Sequence, residues 1–118
     1  MNSADKQRLQ HIVQYCMDIA GFIDRFGDDQ VAFSNDQAYK NAVSLSIMQI
    51  GELANGLSKE FRESTKEEMP WGPIRGMRNW IAHAYGEIDE SIIWETAIND
   101  IPRLEEFCRR KLEESADI

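Results

Sequence analysis

The stretch SNDQAYKNAVSLSIMQIGELANGL, running from Ser34 to Leu57, decides the fold class. At about 100° per residue, Val43, Ile47, Ile50, Ala54 and Leu57 form one apolar stripe. Ala38, Ala42, Leu45 and Met48 form a second. A helix that is apolar on more than one side lies at the centre of a bundle or is covered by a second chain. Ser34 followed by Gln37 has the form of a capping box, which puts the helix start near Ser34 or Asn35. Gly51 in its interior lowers helix propensity by roughly 1 kcal/mol relative to alanine. A close approach of another helix would account for it, and so would an incidental, tolerated glycine.

Upstream, Leu9, Ile12, Val13, Cys16, Ile19, Ala20, Ile23 and Phe26 recur at i, i+3, i+4 spacing and predict a helix over residues 6–26, ended by Gly27-Asp28-Asp29. His11 falls off that stripe and reads as a surface histidine. Downstream, Lys59 to Met69 is charged and interrupted, as in a short helical turn and loop. Pro70, Gly72 and Pro73 punctuate the entry to a third helix, expected from Pro73 to Tyr85 with Gly86 as its C-terminal cap. Asp89 or Ser91 can cap a last helical region reaching Glu114, with Ile93, Ala97, Ile101, Leu104, Phe107, Cys108 and Leu112 inward. Pro102 either kinks that helix or follows a break capped by Asn99 or Asp100. No segment has the alternation of a strand. The expected fold is all-α, a bundle of four to five helices, as one domain over residues 1–118.

The composition, 42% hydrophobic and 29% charged, is that of an ordinary globular chain. Cys16 and Cys108 sit inside apolar helical patterns rather than at ligand spacing, and read as buried thiols of a reducing cytoplasm. No apolar run reaches membrane-spanning length, so a cytoplasmic location with no membrane partner is expected. The net charge of −8 argues against a broadly basic nucleic-acid binder. The charge is uneven, however. Residues 59–78 carry five Lys/Arg against four Asp/Glu, whereas residues 79–118 carry four against ten.

That less acidic segment leads into Gly76-Met77-Arg78-Asn79-Trp80-Ile81-Ala82-His83-Ala84-Tyr85-Gly86. Drawn as a helix, Ile74, Met77, Trp80, Ile81 and Ala84 share one arc, and Arg75, Arg78, Asn79, His83 and Tyr85 the other. The polar arc combines a permanent cation, an amide, a phenol and an imidazole able to titrate near neutrality. There is no phosphate-binding glycine loop, no HExxH and no Gly-x-Ser-x-Gly, and the carboxylates do not cluster with histidine at metal-ligand spacing, so no cofactor is expected. What remains suits cleavage of an RNA phosphodiester without a metal. Histidine can move the proton, arginine can stabilise the growing phosphate charge, and RNA supplies its own 2′-hydroxyl nucleophile. Arg78 and His83 would stand about 140° apart around the helix, flanking the polar face rather than sharing one spot. Two copies about a two-fold axis could line one cleft. By spacing alone, an arginine and a histidine on such a face are more often solvated surface.

The run Arg78-x-x-x-x-His83-x-Tyr85 resembles the signature of the HEPN superfamily, in its HepT-like toxin branch. Pro70-Trp71, Ile74, Gly76-Met77-Arg78-Asn79, Ile50-Gly51-Glu52 and Asp100-Ile101-Pro102-x-Leu104 resemble that branch in order and spacing, over about residues 6–112. Ser44 and Ser46 stand where the branch carries charge. The resemblance implies a homodimeric helical bundle with its cleft at the interface, acting as the metal-independent endoribonuclease toxin of a type VII-like toxin–antitoxin pair. Arg78 and His83 would be the catalytic pair, Asn79 would support them, and Arg75 would contact substrate. It also implies a minimal nucleotidyltransferase antitoxin that transfers AMP from ATP to Tyr85. The alternative is a non-catalytic HEPN module that binds a nucleotidyltransferase partner.

Overall fold

The computed structural model describes residues 1–80 and 89–116. Among these residues the chain is helical without strands. The elements are α1 (Ser3–Phe26), α2 (Gln30–Asn35), α3 (Gln37–Asn55), α4 (Lys59–Ser64) and α5 (Trp71–Gly76), which runs into a 3₁₀ turn (Met77–Asn79). After residue 88 come α6 (Glu90–Glu95), a π-helical turn (Thr96–Asp100) and α7 (Ile101–Ala116). The expected all-α class holds, with more short helices than the periodicity announced.

Caps explain where these elements begin. Asn2 accepts from the Asp5 amide at 2.7 Å to start α1, and Gly27, at φ 120°, ends it in a conformation open to glycine alone. Ser34 does not start α3. Asp29 and Asp36 each cap a helix, the first accepting from Val31 and Ala32, the second from Ala38 and Tyr39. A carboxylate in extended backbone satisfies two free amides and faces the positive end of the helix dipole, so it displaces the Ser34–Gln37 box. The extra turn, α2, delivers Phe33 to the core. There Phe33 and Phe26 pack on Tyr39 at 5.1 and 5.0 Å between ring centroids, and the Tyr39 hydroxyl donates to the Gly27 carbonyl at 2.9 Å.

The stripe Val43, Ile47, Ile50, Ala54 and Leu57 is fully buried, packing against α1 through Leu9, Ile12, Cys16 and Ile19. Leu104, Phe107 and Cys108 of α7 complete this core, and neither cysteine is bonded to another. Burial pushes both thiols far up, Cys108 to about 12, so they act as small apolar groups. The second stripe of α3 stays uncovered. Leu45 is 50% exposed, Ala38 is exposed, and Ala42 and Met48 are half-buried.

Asp5, only 1% exposed, joins the start of α1 to the start of α4: it accepts from the Ser58 amide at 2.8 Å and its hydroxyl at 2.6 Å. Ser58 in turn caps α4 through the Phe61 amide. At the other end, α6, the π turn and α7 follow without a capped break at Asn99 or Asp100. Pro102 lies just after the π turn. A proline ring collides with the carbonyl four residues back, here Ile98, and the wider turn moves that carbonyl aside. The capped break at Asn99 or Asp100 is thus overturned, and the proline is accommodated within a continuous helical run through the π turn.

Candidate functional site

The third helix begins at Trp71, two residues before the expected Pro73. Trp71 is buried, and its indole Nε1 donates to Thr65 Oγ1 at 2.8 Å, while that hydroxyl donates to the Phe61 carbonyl. Its ring sits 5.7 Å from Phe107 and 6.1 Å from Phe61. Pro73 still falls in the first turn, where no amide partner is missed. Glu68, in the preceding loop, bridges to α7 through Arg110 at 2.9 Å and Lys111 at 3.1 Å. These contacts hold α5 against the bundle, and Ile74 and Met77 turn inward as their stripe predicts.

At Met77 the helix tightens to 3₁₀, and there it meets Gly51 of α3. A Cβ on Gly51 would overlap the backbone nitrogen of Arg78 and lie 3.0 Å from the Met77 carbonyl carbon and 3.1 Å from Arg78 Cα. The glycine is therefore a requirement of close approach, which decides between its two sequence readings. Backbone against backbone leaves Arg78 little freedom.

The arginine side chains on this turn are fastened as well. Arg78 Nη1 donates to the Arg75 carbonyl at 2.7 Å, and Arg75 Nε donates to Asn55 Oδ1 at 3.1 Å. Both are half-buried, whereas Asn79 is exposed. Neither arginine forms an ion pair among the described residues. By contrast, Arg109 and Arg110 are engaged with Glu105, Glu68 and Glu114. Among the described residues, Arg75 and Arg78 are the arginines hydrogen-bonded to neutral oxygens, so their positive charge is oriented without being cancelled. Each keeps further N–H donors for an anion.

His83 and Tyr85 lie outside the described residues, as do Gly86 and the helix expected between them and Trp80. Arg75, Arg78 and Asn79 are thus the predicted site residues that the structure positions, on one short turn. Asn55 was not singled out from the sequence. It sits four residues after Gly51, on the same side of α3, so a glycine read as a contact point would have pointed to it. Among the described residues no three His, Cys, Asp or Glu side chains converge as for a metal ion, and no helix is long and apolar enough to cross a membrane.

Fold and site together define an all-helical chain that presents two tethered guanidiniums beside an acidic body. Residues 12–110 match the family described as "Ribonuclease HepT-like", and the chain belongs to that family. Among its relatives is a protein of Caldanaerobacter subterraneus subsp. tengcongensis, named as a candidate RNase, 34% identical over 89% of this chain and 91% of its own length. Another candidate RNase, from Methanocaldococcus jannaschii, is 32% identical over 84% of this chain and 79% of its own. The "Probable ribonuclease HepT" of Thermococcus cleftensis is 32% identical over 61% and 64%. No solved structure matches the chain.

Proposed function

We propose that the protein is a metal-independent endoribonuclease, the toxin of a toxin–antitoxin pair, with Arg78 and His83 as its catalytic groups. The observation that carries this reading is the oriented Arg78 guanidinium, in no ion pair among the described residues, on a turn pressed against Gly51, within a chain of the ribonuclease family. A planar, permanently charged fork matches the non-bridging oxygens of a phosphate and stabilises the charge that grows on them. His83, five positions on, supplies the acid or base that moves the 2′-hydroxyl proton or protonates the leaving oxygen. Asn79 orients the phosphate, and Arg75 contributes to substrate binding. Two copies form the working unit, and the uncovered Leu45 and Met48 face of α3 supports such a pairing.

RNA cleavage is expected to proceed in excess EDTA and to vary between pH 5 and pH 8, where an imidazole changes charge. His83→Ala should abolish it. A folded His83→Ala protein that cuts like wild type, or a flat pH profile, would remove His83 from the mechanism.

Tyr85 is the proposed off-switch. Its phenolic oxygen attacks the α-phosphorus of ATP on a nucleotidyltransferase partner, forming the phosphodiester, releasing pyrophosphate and losing the phenolic proton to base. A bulky anion at this position would pair with the site arginines and exclude RNA. Incubation with the partner and ATP should add the mass of AMP to the wild-type chain and none to Tyr85→Phe. An unmodified wild-type chain that still forms a stable, inactive complex would favour control by occlusion instead.

A further inference from the structure

We infer that Asn55 is a positioning residue for a two-pronged phosphate clamp formed by Arg75 and Arg78. The inference deepens the ribonuclease reading and rests on it. An arginine in a phosphate site faces two difficulties: its long side chain wanders, and an acidic neighbour that steadies it also cancels its charge. Here both are avoided. The Asn55 amide oxygen takes the Nε–H of Arg75 at 3.1 Å, leaving the two terminal nitrogens of that fork for a ligand. The donor is N–H, so the amide must present its oxygen to the arginine, whatever its other contacts.

The second prong is tied to the first. Arg78 Nη1 donates to the main-chain carbonyl of Arg75 at 2.7 Å, so one chain of contacts runs from α3 through Arg75 to Arg78. The two arginines are three residues apart, neighbours on one side of the turn. Gly51 and Asn55, one helical turn apart on α3, both meet this segment: Gly51 sets the backbone height and Asn55 sets the guanidinium. In a chain of net charge −8, a pair of arginines steadied by neutral oxygens is suited to a polyanion. Among the described residues, no carboxylate shares the contact. Arg75 and Arg78 together fit adjacent oxygens of one phosphate or two successive phosphates of a single strand, the register an endonuclease needs.

The test separates orientation from charge. Binding is measured to a single-stranded 2′-deoxy oligonucleotide, which offers phosphates without the attacking hydroxyl, and cleavage is measured on the matching RNA. Asn55→Ala should weaken oligonucleotide binding about two- to tenfold, the range for having to immobilise one long side chain. In an Arg75→Ala background the same substitution should have no further effect. Asn55→Asp is the decisive variant. A carboxylate holds Arg75 at least as firmly but neutralises it, so the protein should keep its melting temperature while its affinity falls to that of Arg75→Ala. The slope of log K against log salt should fall by about 0.7 in both, the loss of one phosphate contact on a single strand. The pH profile of cleavage should not move in any of them.

If Asn55 merely supports the fold, Asn55→Asp will bind and cut like wild type, or the Asn55→Ala loss will persist without Arg75. Either result overturns the inference while leaving the nuclease in place. Should Asn55→Ala fail to fold, the Asp and Arg75→Ala arms decide the question. A wild-type protein that neither cuts RNA nor binds the oligonucleotide would instead sink the ribonuclease reading itself.

Discussion

Replacing Gly51 by alanine is expected to destabilise the protein and to remove RNA cleavage at the same time. Two effects compete. Alanine favours the helix over glycine by roughly 1 kcal/mol. Against that, the new methyl would meet the backbone of Arg78 and Met77, which cannot turn aside as a flexible side chain can. Overpacking of this kind costs about 1–3 kcal/mol and more where only backbone can yield. The steric effect should win, with a lower melting temperature. The relief would come by pushing the Met77–Asn79 turn away from α3, which moves Arg78 and breaks the Asn55–Arg75 reach. A misplacement of about 1 Å in a catalytic group can cost on the order of 100-fold in rate. The check is a melting curve beside a cleavage assay under conditions where the variant is folded. A Gly51→Ala protein that melts higher and cuts normally would show that helix propensity alone governs this position.

Loss of the Arg78 guanidinium is the second large effect. Arg78→Ala should lower cleavage about 100- to 1,000-fold, the scale for removing one oriented donor from a developing oxyanion. Its stability should change little, because the side chain is half-buried and, among the described residues, its hydrogen bond goes to a carbonyl on the same turn. Arg78→Lys is informative beside it. An ammonium keeps the charge but lacks the planar fork, so it cannot hold the Arg75 carbonyl and grip a phosphate in the same geometry. It should recover part of the binding and little of the rate. Measured kcat and KM for both variants would settle the matter. Activity within threefold of wild type in Arg78→Ala would take the residue out of the reaction.

Both predictions turn on contacts of different legibility. The polar set Arg75, Arg78 and Asn79 was visible in the sequence as one arc of a helix, because side-chain direction in a helix follows spacing. The family was visible too, since its motif residues are spread over most of the chain in fixed order. The Asn55–Arg75 hydrogen bond was not, for it joins residues 20 apart in sequence on two elements. Caps show a similar limit. Asp36 and Ser34 are both good capping residues, and which one starts α3 depended on whether Phe33 was needed in the core beside Tyr39 and Trp94. Asp5 gave no signal as a buried anchor either. A carboxylate in a first helical turn reads as a dipole partner, and only the proximity of Ser58 drew it out of solvent.

The sequence by itself determined the helical class, the buried stripe of α3, the inward face of Ile74 and Met77, and membership of the HepT-like family. Those follow from local periodicity and from the order of motifs, neither of which needs a partner element. Tertiary structure alone decided what Gly51 is for, how Pro102 is accommodated, and that Arg75 and Arg78 each donate to a neutral oxygen. Each of these depends on how closely two stretches of backbone approach. That distance is set by the packing of the whole core, and no spacing along one helix encodes it.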